Sequence, residues 1–181
     1  MNEVNKMNEI NMTALVCAFV RCYHLRNSNI KIFNDKFSEK ILTESEYNNI
    51  FQNMSNGIKF FNPSFVGTQE EAMEWIVNNQ LAPSVLGRSV FNKKSLDTAI
   101  KTGCKQYLVY GSGYDTSTIG QSIKCFEIDK AIIIKDKINR LNNNNISLTN
   151  IEFIESDFAN KNWINNLLCS KYDKSQISFN S

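Results

Sequence analysis

Four apolar or aromatic side chains, residues 107–110, run directly into Gly-Ser-Gly at 111–113, and this junction constrains the chain more than any other stretch. Gly111 and Gly113 permit a sharp turn and let a ligand approach the backbone closely. A second apolar run, residues 124–128, carries Glu127 and is followed by Asp129, which places acidic groups about twenty residues beyond the turn. At that spacing a carboxylate can accept hydrogen bonds from a ribose diol. Side chains alternate along a strand, so Glu127 and Asp129 point the same way. Asp129 is nearer the carboxyl end, where open α/β sheets bind ligands, and is the favoured ribose acceptor, with Glu127 the second candidate. A third acidic position, Asp157, follows the run 151–155; it could accept from an adenine amino group while Phe158 covers the ring.

The surrounding pattern predicts an α/β protein with a parallel sheet. Strands are expected at 106–110, 124–128 and 151–155, with a fourth opening at 176–179, and helices at 95–102, 130–141 and 161–169. Gly103 is suited to end the first of these helices, and the asparagines at 142–145 to form a loop. Before them nothing reads as a strand. Leu15, Val16, Phe19 and Tyr23 recur at helical spacing, and Gly57 and Pro63 divide the next region into helical pieces, among them 38–54 and 70–80. Residues 1–85 are therefore expected as a helical cap and 86–181 as a partial α/β domain. A parallel sheet cut off after about its fourth strand leaves an open edge, which predicts self-association.

Composition removes several function classes. The 20 basic and 18 acidic side chains nearly cancel and form no long run, so nothing points to nucleic acid. Five scattered cysteines without a C-x-x-C pair suggest neither a metal site nor a disulfide framework, and a reduced, cytoplasmic protein is expected. The apolar run 12–20 is preceded by Glu3 and Glu9, ends at Arg21 and is too short to cross a bilayer, so neither a signal peptide nor a membrane association is expected. His24, the one histidine, reads as a surface or helix-end residue, and Trp75 and Trp163 as core.

G-S-G-Y-D-T at 111–116, F-E-I-D at 126–129 and Asp157-Phe158 together resemble the hallmarks of the leucine carboxyl methyltransferases and their bacterial relatives: a G-A-G-x-D-T turn, an F-E-x-D strand and a later D-L or D-F pair. Residues 86–97, L-G-R-S-V-F-N-K-K-S-L-D, are similar to the arginine-containing approach to the first strand in that family. The resemblance implies a class I, Rossmann-like methyltransferase fold with S-adenosyl-L-methionine as cofactor. It implies that Arg88 meets the methionine carboxylate, and it matches Arg21 to a basic residue that joins the cofactor site. It covers roughly residues 70–180 and departs from the family at Ile119-Gly120, where members carry tyrosine-arginine, and at the end of the chain, where members continue through further strands.

The implied reaction is O-methylation of a carboxylate or hydroxyl on a small molecule or protein. A carboxylate acceptor would need no base, and no catalytic residue is assigned. Two alternatives stand beside it: an inactive remnant or cofactor-binding module, and an NAD-dependent dehydrogenase, against which Thr116 occupies the place of the fingerprint's third glycine.

Overall fold

The structure is a computed structural model that describes residues 12–160 and 162–181. Glu3, Glu9 and the rest of the first eleven residues of the expected cap, and Lys161 at the head of an expected helix, lie outside the described residues. The chain divides into two compact units, Leu15–Phe91 and a second made of Met1–Ala14 with Asn92–Ser181. The division falls at 14/15 and 91/92, inside two helices, where the sequence placed a single boundary at 85/86.

The first unit is helical. It holds most of α1 (Met12–Asn27), then α2 (Ser38–Ile41), α3 (Glu44–Asn56), α4 (Ile58–Phe61), α5 (Gln69–Ile76) and the start of α6 (Ala82–Lys101). Its interior is built from side chains such as Phe19, Ile41, Met73, Ile76 and Leu86, each with almost no exposed surface. The stretch 38–54, expected as one helix, is two. Thr43 interrupts it as an N-cap: its hydroxyl accepts from the Glu46 amide at 3.2 Å while its own amide donates to the Glu46 carboxylate at 2.9 Å. Thr68 and Glu71 start α5 by the same reciprocal pair.

Pro83 does not interrupt the helical run. Residues Val77–Leu81 form a π-helical turn, and the Ala82 amide reaches back to the Val77 carbonyl. The wider turn joins α5 to α6, and proline sits at the second residue of α6. A proline lacks an amide hydrogen and crowds the carbonyl four residues back, so it is accommodated where the regular ladder is already relaxed. The helix expected at 95–102 is thus the last part of a twenty-residue helix. Gly103 ends it as expected, with φ of 102° and the Cys104 amide donating to the Ala99 carbonyl at 2.9 Å.

The second unit contains the sheet. β1 (Gln106–Tyr110), β2 (Lys124–Asp129), β3 (Ile151–Glu155) and β4 (Ser178–Asn180) are all parallel, in the order β3-β2-β1-β4. Three strands fall within one residue of their expected spans. β4 begins at Ser178 and ends at Asn180. Between the strands lie α7 (Ala131–Asn143) and α8 (Trp163–Leu168). Leu108, Phe126, Ile128 and Ile154 pack with Leu167 of α8 on one sheet face, while Lys137 of α7 meets Glu127 on the other. Helices therefore cover both faces, as in a doubly wound sheet. The chain moves outward from β1 to β3 and then returns to the far side of β1, so the carboxyl ends of β1 and β4 mark the switch point where such sheets bind ligands.

Candidate cofactor site

The glycine turn is tied to β2 by three successive backbone donors. The amides of Gly111 and Ser112 both reach the Ile128 carbonyl, at 2.8 and 3.3 Å, and the Gly113 amide donates to the Asp129 carboxylate at 2.7 Å. Left-handed conformations at Gly111 (φ 65°) and Gly113 (φ 48°) make this fold-back feasible. A Cβ added at Gly111 would meet nothing within 4 Å, whereas one at Gly113 would lie 3.0 Å from the Ala14 Cβ. Gly111 thus borders open space and Gly113 a close packing contact. The Ser112 hydroxyl is buried without a hydrogen-bond partner among the described residues.

The two acidic residues of β2 have separate environments. Asp129 is half-buried at the strand's end, and its second oxygen accepts from the Lys130 amide at 2.7 Å. An ionised carboxylate offers about four acceptor positions, so two amides leave capacity for a diol. Glu127, the other candidate, is only 1% exposed. Its oxygens take a hydrogen bond from the Thr118 hydroxyl and an ion pair from Lys137 at 2.5 Å. Glu127 thus fastens α7 and the segment after the glycine turn to the sheet. Sequence reasoning missed Lys137, although it lies among Ile133, Ile134 and Leu141 on the buried face of α7, where a lysine demands a partner.

A further clamp holds the turn. Tyr114, fully enclosed, donates to Asp136 of α7 at 2.5 Å, and the Arg140 guanidinium lies 5.1 Å from the Tyr114 ring centre. The Tyr107 hydroxyl, on the strand that feeds the turn, joins Asn92, Ser117 and Ser181 at 2.7 to 3.0 Å. Burial raises its pKa, so it remains a neutral phenol.

Past β3, Asp157 accepts from the Ala159 amide at 2.9 Å and stands 3.7 Å from the Lys130 ammonium. The Ser156 amide donates to the Asp129 main-chain carbonyl at 2.8 Å, which couples this loop to the end of β2. Phe158 is 41% exposed and touches the rings of Tyr110 and Trp163. Trp163, expected to fill core, is half-buried in this cluster at the carboxyl edge.

Arg21 and Arg88 belong to the helical unit. Arg21 is buried: its Nε pairs with Asp35 at 2.8 Å and Nη1 donates to the Cys17 carbonyl at 3.2 Å. Arg88 is exposed on α6 and donates to the Ser84 carbonyl at 3.1 Å, while Asp97 pairs with Lys93. His24 is buried rather than on the surface, with Nε2 accepting from the Ile32 amide at 3.1 Å. Desolvation, then Lys31, lowers its pKa. Cys22, Cys104 and Cys125 are buried, Cys17 is half-buried and Cys169 is exposed. Burial pushes the Cys125 thiol up to about 12, so it stays protonated.

A parallel doubly wound sheet, a glycine turn after β1 and an acidic end of β2 define a Rossmann-like α/β protein. The family model described as leucine carboxyl methyltransferase matches residues 14–181, and the chain belongs to that family. It is also 30% identical over 164 residues to the Bacillus subtilis (strain 168) protein YktD, provisionally named an S-adenosyl-L-methionine-dependent methyltransferase. That match covers 85% of this chain and 54% of YktD, so the chain spans about half the length of this relative. Among the described residues, no helix is long and apolar enough to cross a membrane.

Proposed function

We propose that the chain carries the S-adenosyl-L-methionine-binding half of a class I methyltransferase that acts on an oxygen acceptor, a carboxylate or hydroxyl of a small molecule or protein. The observation that carries this reading is the engagement of the Gly111, Ser112 and Gly113 amides by β2. A dinucleotide's pyrophosphate is held by backbone donors at such a turn. With these three donors directed inside the protein, the turn suits a nucleoside cofactor that lacks phosphate.

The residues fit that cofactor. Gly111 borders open space that a side chain would enter, Asp129 keeps acceptor capacity for the ribose hydroxyls, and Asp157 with Phe158 offers an acceptor and a ring for the adenine. Arg88 is proposed for the methionine carboxylate, where a planar guanidinium bonds two oxygens at once. Arg21 is proposed as a second basic contact, its buried pairing with Asp35 leaving it a supporting part. Glu127 supports the turn from beneath through Thr118. When bound, S-adenosyl-L-methionine supplies an electrophilic methyl group. The protein aligns it and excludes water. A cytoplasmic setting and self-association through the outer edge of β4 complete the proposal.

Isothermal titration of the full chain with S-adenosyl-L-methionine and with NAD tests this reading, with Asp129→Ala and Arg88→Ala as controls. Saturable binding of S-adenosyl-L-methionine alone, weakened by both substitutions, is expected. Binding of NAD would overturn the assignment in favour of a dehydrogenase, and binding of neither by a folded chain would leave an inactive remnant.

A further inference from the structure

Three aromatic rings from distant parts of the second unit meet at the carboxyl edge of the sheet. Tyr110 is the last residue of β1, Phe158 follows β3, and Trp163 opens α8. Their ring centres lie 5.5 to 6.2 Å apart, and every pair is tilted steeply, by 61° to 83°. Such edge-to-face contacts fix each ring against its neighbours without stacking their faces together.

The rings are not sealed into the core. Tyr110 is 37% exposed and Phe158 41%, although Leu108, two residues earlier on the same strand face as Tyr110, is fully enclosed. Polar groups frame the cluster. The Tyr110 hydroxyl donates to the Asn180 side-chain oxygen at 3.3 Å, and Asp157 directly precedes Phe158. A partly exposed aromatic surface flanked by hydrogen-bonding groups is the chemistry that recognises a flat heteroaromatic base, through stacking on the rings and polar contacts at its edge.

We infer that Tyr110 and Trp163 join Phe158 in an aromatic platform that positions the purine of the cofactor. This inference rests on the nucleoside-cofactor reading above and extends it to two residues that the sequence motifs did not single out. Tyr110 and Trp163 are positioning residues, and neither takes part in bond making.

The test exploits the fact that the chain has only two tryptophans, Trp75 and Trp163. The native chain and Trp163→Phe are titrated with S-adenosyl-L-methionine, adenosine and L-methionine, each followed by tryptophan emission and by calorimetry. For the native chain, adenosine and the whole cofactor should change the emission saturably, at the concentrations that calorimetry gives for binding, and L-methionine should not. Trp163→Phe keeps a ring, so it should lose that emission change while binding within about threefold of the native chain. Trp163→Leu and Tyr110→Leu should each weaken binding by about tenfold, in the range of aromatic stacking on a base.

Calorimetric binding of adenosine with unchanged emission in the native chain would overturn the platform and leave the cofactor reading intact. So would leucine variants that bind as tightly as the native chain. Absence of all calorimetric binding would overturn the cofactor reading and the platform with it. If a leucine variant fails to fold, the emission of the native chain alone decides.

Discussion

Each of the two units buries an ion pair, and the two pairs fasten different things. In the helical unit, Arg21 of α1 holds Asp35, whose other oxygen accepts from the Phe37 and Ser38 amides at 3.1 and 3.2 Å, so the pair shapes the loop that leads into α2. In the sheet unit, Lys137 holds Glu127, whose other oxygen takes the Thr118 hydroxyl, so that pair anchors the segment after the glycine turn. Arginine spreads its charge over a planar fork that meets several acceptors, whereas lysine presents one compact ammonium. The contrast teaches that one pair orders a connection between helices and the other fastens a helix and the segment after the glycine turn to the sheet.

The largest expected effects come from breaking either pair. Lys137→Met and Arg21→Met should each lower unfolding free energy by about 3–5 kcal/mol, because the abandoned carboxylate stays buried. Denaturant titration followed by circular dichroism measures this. The double change Lys137→Met with Glu127→Leu should restore most of the loss, since an apolar pair of similar volume often replaces a buried ion pair without cost. A double variant as unstable as the single one would show that the charges themselves are required.

Next in size is a separation of stability from binding along β2. Asp129→Asn should weaken S-adenosyl-L-methionine binding by about tenfold or more, the worth of a hydrogen bond to a charged acceptor, with a smaller loss of melting temperature because its single oxygen can accept from only one of the Gly113 and Lys130 amides. Glu127→Gln should do the reverse, lowering the melting temperature with a smaller effect on affinity. Equal effects of the two substitutions on affinity would dissolve the distinction drawn between them.

Gly111→Ala adds a methyl group that meets nothing within 4 Å but must adopt φ of 65°. A loss of about 1–2 kcal/mol is expected from the left-handed backbone alone, and thermal melts compared with Gly87→Ala, an unstrained helical position in the other unit, would sharpen the estimate.

The smallest effect concerns His24. Burial, then Lys31, lowers its pKa in the folded chain, so the unfolded chain binds more protons below the ordinary value of 6.5. Its contribution to stability is complete above that value and is lost as pH falls through the folded-state value. A native chain that shows the same stability difference from His24→Gln at pH 7 and pH 5 would contradict the buried placement.

Much of the fold was legible because its signals are local. Apolar runs beside turn residues marked β1, β2 and β3, and Gly103 marked the end of α6. Thr43 and Thr68, each followed three residues later by glutamate, carried the same kind of signal at helix starts, and reading them would have divided 38–54 correctly. Pro83, by contrast, gives no local sign that it lies within a helical run, because the π turn before it, which removes the conflict a regular helix would impose, is set by the surrounding structure. The sequence singled out the glycine turn and Asp129 as parts of one nucleoside site, but the hydrogen bond that links them to each other carried no signal in their spacing.

From the sequence alone came the alternation of strands and helices, the glycine turn and the two carboxylates of β2, since periodicity, backbone freedom and charge are properties of short segments. Only the tertiary structure decided that Glu127 would face Lys137 while Asp129 held the turn, and that Tyr110, Phe158 and Trp163 would share one corner. Those outcomes depend on which helix covers which face of the sheet and on where β4 returns beside β1, choices fixed by packing between residues far apart in the chain.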